Sequence, residues 1–287
     1  MASSPDRKKP SSPASTALAT RDWASLPPDI LISVFLKLGP REIMMGAEHA
    51  CTAWQRVAVD DPVLWRCVDM GMVSPCSPNG RAIVRVAVDR GAGECEAFSG
   101  LCDSKLLFYL VQRAPYLRSL HLKHLYAPNK VLNLVLKRLP LLEDLEISPT
   151  YVSTPEENLL QSICQDCPHL RKLRLNCCES FDYNNGNGMA LERIHGEIIL
   201  MQDLRSLELF HCDLTTQGLR AILDNCPLLE TLHITGFLMG GEMDQMLRQK
   251  CAGVKDLTLP NKSVKIYTFH RHGPVRSRIT EPWELHG

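Results

Sequence analysis

The sequence has no excess of charge of either sign: 32 Lys and Arg stand against 32 Asp and Glu. That excludes a general electrostatic pull toward nucleic acid or an anionic membrane surface. It contains no apolar run near the ~20 residues that a membrane-spanning helix needs. Residues 1–20, MASSPDRKKPSSPASTALAT, have no apolar centre of the kind a secretory signal carries. Their Ser, Pro, Ala and Thr cannot fill a core, so a disordered N-terminus is expected over 1–20. Arg7, Lys8 and Lys9 read there as a solvated charge run rather than a nuclear-import patch. Aromatics are few, 6% of the chain, and are not interleaved with basic residues along one face, which argues against nucleic acid as a partner.

Catalytic motifs are missing as well. There is no Walker loop and no His-Glu-x-x-His. "RGAGECE" at 90 begins like a glycine-rich nucleotide turn, but its third glycine is absent and the strand follows it instead of preceding it. Cys164-x-x-Cys167 has metal-ligand spacing but no second such pair. His270-Arg271-His272 lies in a stretch expected to be loose. No nucleophile, base and anion site converge. The expectation is a non-catalytic chain with no cofactor and no bound metal. Cysteine, by contrast, is plentiful at 12. Without a secretory signal these are expected to stay thiols in the reducing nucleus or cytoplasm. There the Asn261-Lys262-Ser263 sequon goes unused.

What the sequence does have is repetition. "LRSLHL" at 117, "LEDLEI" at 142, "LRKLRL" at 170, "LRSLEL" at 204, "LETLHI" at 229 and "VKDLTL" at 254 share one pattern, apolar-x-x-Leu-x-apolar. Their starts differ by 25, 28, 34, 25 and 25 residues. Such a period means stacked units. Leu-x-Leu alternates with period two, so each unit carries a strand with one buried face. Helical stretches such as "LVLKRLP" at 134 and "LRAILDNCP" at 219 follow, each stopped by proline. Pro115, Pro140, Pro168 and Pro227 each stand two residues before the next apolar start. One unit cannot bury its own apolar face, whereas a stack shares a continuous core, with strands on one side and helices on the other.

These units resemble leucine-rich repeats of the cysteine-containing subtype. The best is "LRSLELFHCDLTTQGLRAILDNCPLLETL" at 204–232, where Cys212 sits five residues after Leu207 and Cys226-Pro227 ends the unit. Cys178 and Cys167-Pro168 match those positions one unit earlier. "GECEAFSG" at 93–100, with Cys95 and Phe98, reads as a degenerate first unit. About seven repeats are expected over 93–260, with 67–92 as a linker or first helix. "FDYNNGNG" at 181–188 reads as an inserted surface loop. "SVKIYTF" at 263 suggests a capping strand within 261–287, followed by a loose tail.

Residues between the leucines are expected on the concave side. The candidate partner-binding set there is His121, Lys123, Asp144, Glu146, Lys172, Arg174, Glu208, Phe210 and His233. Ser119, Ser148, Asn176, Ser206, Thr231, Thr235, Asp256 and Thr258 fall on the same face by alternation. Its charge is banded, acidic at 144–146 and basic at 172–174. Six or seven strands at ~4.8 Å make a surface about 30 Å wide. That suits a protein surface or a peptide, and the arc is too open to enclose a small molecule. An ordinary solvated strand face remains an equal reading for any single residue.

Residues 21–66 differ. "LPPDILISVFLKL" at 26–38 sets Ile30, Leu31, Val34, Phe35 and Leu38 along one helical stripe. Pro27 and Pro28 fit a helix start, Asp29 suits the first turn, and Gly39-Pro40 ends it. About 45 residues in three short helices bury little alone, so the stripe calls for a partner. The order Leu26, Pro27, Asp29, Ile30, Leu31, Val34, Phe35, Leu38, Cys51, Trp54, Asp61, Pro62, Leu64, Trp65 resembles the F-box. F-box first and repeats after is similar to the plant F-box/leucine-rich-repeat proteins, over roughly 21–260. Met44, Met45, Gly46 and His49 depart from the family's more Leu- and Val-rich middle helix.

The resemblance implies an α+β chain: a small all-helical F-box, then an α/β solenoid with parallel concave strands. It implies the substrate-recognition subunit of an Skp–cullin–F-box ubiquitin ligase, with an Skp-family adaptor as partner and, through it, cullin and a RING protein. The implied adaptor-binding residues are Leu26, Pro27, Ile30, Leu31, Val34, Phe35, Leu38, Trp54 and Leu64. An adaptor-bound scaffold acting without a cullin shares every motif. A repeat protein whose N-terminal helices pack on its own first repeat is the other alternative.

Overall fold

The computed structural model describes residues 22–149, 159–176, 193–194, 198–239, 243–260 and 263–264. The expected disordered N-terminus, the 181–188 insertion, Cys178 and most of the C-terminal stretch lie outside them. The order is three short helices, then repeated strand and helix.

Helix α1, Pro28–Leu38, has proline at its first position, Asp29 in its first turn and Lys37 in its last, each suited to the helix dipole. Gly39, at φ 84°, ends it, and its N–H donates to the Phe35 carbonyl. Helix α2, Pro40–Met45, starts at once with a second proline. Helix α3, Thr52–Asp60, follows a short 3-10 turn, and a further 3-10 turn, Pro62–Trp65, closes the unit.

Strand β1, Cys67–Asp69, lies in the stretch expected to be a linker or first helix, and it opens the sheet. Helix α4, Pro78–Arg90, returns the chain. "RGAGECE" is the turn that ends this helix: the Gly91 and Ala92 N–H groups donate to Val88 and Asp89, with φ positive at Ala92 and Gly93. Then come β2 Ala97–Asp103, α5 Ser104–Arg113, β3 Ser119–Tyr126, α6 Asn129–Leu136, β4 Asp144–Pro149, α7 Leu159–Asp166 and β5 Lys172–Asn176. The two-residue β6, Arg193–Ile194, precedes β7 Ser206–Thr215, α8 Thr216–Asn225, β8 Thr231–Met239, α9 Gln245–Ala252, β9 Asp256–Thr258 and β10 Ser263–Val264.

All pairings are parallel, and ahead of the bulges in β3 and β7 they share one register. Val68, Phe98, Leu120, Leu145, Leu173, Leu207, Leu232 and Leu257 form a single row across eight strands, one more than the sequence pattern suggested. β10 continues the stack beside β8, pairing Ser263 with Leu238. The prolines have a local job. In each of four units the residue before proline accepts from the N–H of the next buried leucine: Ala114 from Leu117, Leu139 from Leu142, Cys167 from Leu170, Cys226 from Leu229. Proline thus holds the first corner of the turn that feeds each strand. Cys167 and Cys226 are buried at that corner, where a small apolar side chain packs.

One hydrophobic core runs from Leu31 through Trp65, Val68 and the leucine rows to Cys251. The helical unit is continuous with the solenoid and covers its first strand. Among the described residues no helix is long and apolar enough to cross a membrane.

Candidate functional site

Two surfaces carry the candidate residues. The first is on α1, where the expected single stripe divides. Leu31 and Phe35 are buried at 1% and 0% exposure, while Ile30, Val34 and Leu38 stand 48%, 38% and 41% exposed. The exposed three follow i, i+4, i+8 and form their own line. Leu31, Phe35 and Leu64 therefore face the interior and offer no surface for a partner. Leu26 and Trp54 are half-buried, and Pro27 is exposed. Trp54 stands edge-on to Phe35 with centroids 5.7 Å apart, and its Nε1 donates to the Trp23 carbonyl at 2.9 Å. It braces the unit from inside and pins the chain entering α1. Leu36, Met45, Val63 and Trp23 add exposed apolar area that the motif did not single out. Sequence periodicity allowed one stripe of about 100°, and only the positions of α2 and α3 decided which edge of it was covered.

The second surface is the strand face. Asp69, Ser99, His121, Glu146, Arg174, Glu208, His233 and Thr258 form one cross-strand row. Ser119, Asp144, Lys172, Ser206, Thr231 and Asp256 form the row beside it. His121, Asp144, Glu146, Lys172, Arg174, Ser206 and Glu208 line a shallow groove of about 250 Å³. Ser148, expected here, is buried.

The banded charge closes on itself. Arg174 sits between Glu208 at 2.6 Å and Glu146 at 4.0 Å, with its guanidinium 5.8 Å from the Phe210 ring centre. Phe210 is half-buried just before the β7 bulge, where His211 takes φ 58° and its N–H donates to Thr235 Oγ1. His121 Nε2 lies 3.2 Å from Asp144, and the hydrogen bond to that carboxylate raises the imidazole pKa. His233 Nε2 lies 3.0 Å from Asp256. Lys123, at the β3 bulge, reaches Asp69 at 3.1 Å. Burial pushes the Asp69 carboxyl up, yet the Gly71 N–H and Lys123 outweigh it and hold the pKa below the usual value. Among the described residues Lys172 is exposed and forms no ion pair, so it is the cation on this face free to meet a partner.

Below the face the thiols are inert. Burial pushes Cys95, Cys164, Cys167 and Cys226 up to about 12, so their thiolates are scarce near neutral pH. Among the described residues no three potential ligands gather as a metal site. A feature without a sequence signal is the junction between the two surfaces, where Glu48 and Arg90, 42 residues apart, form a buried pair.

An F-box-like family model matches residues 23–70, the helical unit and β1. A leucine-rich-repeat model matches residues 201–223, spanning β7 and most of α8. Putative F-box/LRR-repeat protein 22 of Arabidopsis thaliana is 32% identical over 255 residues, covering 86% of this chain and 80% of that protein. This chain belongs to the F-box/leucine-rich-repeat family. Putative F-box/LRR-repeat protein 9 of Arabidopsis thaliana is 34% identical over 225 residues, covering 75% and 87%. F-box protein SKIP19 of the same plant is 32% identical over 252 residues, covering 85% and 78%. The F-box match takes in the exposed line on α1, and the repeat match lies on the strand that carries Glu208 and Phe210.

Proposed function

We propose that this F-box/leucine-rich-repeat protein is the substrate-recognition subunit of an Skp–cullin–F-box ubiquitin ligase, acting in the nucleus or cytoplasm. The F-box binds an Skp-family adaptor through Ile30, Val34 and Leu38 with Leu26 and Pro27. The strand face around Arg174 and Lys172 binds a protein substrate. Cullin and the RING protein join through the adaptor. Ubiquitin leaves a thioester on a separate conjugating enzyme for a substrate lysine, and this chain contributes proximity alone.

The observation that carries this reading is the exposed aliphatic line on α1, beside Leu31 and Phe35 that are buried on the same helix. Co-expression of the full chain with an Skp-family adaptor, followed by gel filtration, tests it. The native chain is expected to elute as a one-to-one complex, and Ile30→Asp with Val34→Asp is expected to elute alone while melting like the native chain. A native chain that ignores the adaptor sinks the reading. Cullin capture by the same complex separates a ligase subunit from an adaptor-bound scaffold.

A further inference from the structure

Glu48 lies in the 3-10 turn Ala47–His49 of the F-box, and Arg90 ends α4, the first helix of the solenoid. Their side chains are 8% and 15% exposed, with contacts of 2.5 Å and 3.4 Å between the guanidinium and both carboxylate oxygens. The same guanidinium lies over the Trp65 ring, 4.9 Å from its centre, and Trp65 Nε1 donates to the Ala58 carbonyl. One arginine of the solenoid is thus held from two sides by the F-box. The surrounding contact is apolar: Ile43, Trp65, Val68, Met70, Val84, Ala87 and Val88 are all buried in the shared core.

Apolar burial holds two parts together without fixing a direction. A planar guanidinium between a carboxylate and an aromatic face is directional at both contacts. A buried pair of this kind adds little net stability over apolar groups of the same volume, because desolvation offsets its attraction. We infer that Glu48 and Arg90 are positioning residues that set the angle between the adaptor-binding helix and the substrate-binding sheet. The inference rests on the ligase reading for its consequence. A subunit that works by proximity delivers the substrate lysine only if that angle is held.

The test measures the angle in the free chain. Ketone-bearing residues carrying nitroxide labels replace Gln55 on α3 and Arg248 on α9, both exposed, and pulsed electron spin resonance reads the distance between them. The native pair gives one narrow distribution. Glu48→Leu with Arg90→Met, which leaves no unpaired charge, is expected to melt within a few degrees of the native chain. Its distribution is expected to widen at least twofold or to shift by several ångströms. Arg90→Lys, which keeps the charge without the planar fork, falls between the two.

A double variant with the native mean and width overturns the inference, since apolar packing alone would then set the angle. So does a double variant that melts far below the native chain, because the pair would be a fastening and not a guide. Adaptor affinity in the double variant stays within twofold of native. If the native chain itself binds no adaptor, the ligase reading fails, while the distance measurement still reports on the pair.

Discussion

The F-box leaves aliphatic side chains in water on α1, whereas the open face of the sheet is lined by charged and polar ones, most of them paired across strands. Among the described residues Ile30, Val34 and Leu38 remain 48%, 38% and 41% exposed. On the sheet, Arg174, Lys123, His121 and His233 each have a carboxylate within 4.0 Å on another strand. The physical consequences differ. An exposed aliphatic line gains from any apolar partner of matching shape, at ~25 cal/mol per Å² buried. A self-paired polar face gains little from bulk desolvation and binds only a partner that replaces or extends its existing pairs. Under the proposed function, the first surface would serve the adaptor and the second the substrate.

The largest effect should come from the core behind the first surface. Leu31→Ala with Phe35→Ala removes two fully buried side chains, at ~2–5 and ~3–5 kcal/mol. Because the core is continuous, the expected outcome is loss of the F-box fold and a lower melting temperature for the solenoid as well. Circular dichroism and amide exchange together read it; unchanged protection over β2–β5 would show two independent bodies.

Next is Gly236→Ala. At φ 131° with its missing Cβ 2.0 Å from the Cys212 carbonyl oxygen, β8 cannot take a side chain without moving β7. A loss of about 3 kcal/mol in urea denaturation is expected, through positive-φ strain and steric overlap. Ile30→Asp with Val34→Asp should instead leave stability within about 0.5 kcal/mol, as for surface changes generally. It should cost adaptor affinity at least about 100-fold, from a charge buried at an apolar interface. Calorimetry of the adaptor complex decides, and equal losses in stability and affinity would erase the contrast between inner and outer edges of α1.

The smallest effect belongs to the second surface. The folded pKa of His121 is raised by its bond to Asp144. Its contribution to stability is therefore complete below the unfolded value of about 6.5 and is lost as pH rises through the folded value. The pair is about one-third exposed, so screening keeps the effect under about 1 kcal/mol. The melting difference between the native chain and His121→Asn should shrink from pH 6 to pH 8. A difference that grows over that range would place the proton elsewhere.

Much of this was legible in the chain. The repeat pattern located β3, β4, β5, β7, β8 and β9, and the motif at 26–65 located the helical unit, because both rest on short-range spacing. β1 was not legible: Val68 stands where the repeat pattern has leucine, the mark that located the equally short β9. Glu48 with Arg90 was not legible either, since nothing along 42 residues marks one as the partner of the other.

The sequence by itself determined the period, the proline turns, the buried leucine rows and the identity of the residues offered on each strand, since alternation and helical spacing are local properties of the backbone. Only the tertiary structure decided which half of the α1 stripe is core, which strand charges pair across strands, and that the F-box and repeats share one interior. Those outcomes depend on distances between residues tens of positions apart, which the packing of whole elements sets.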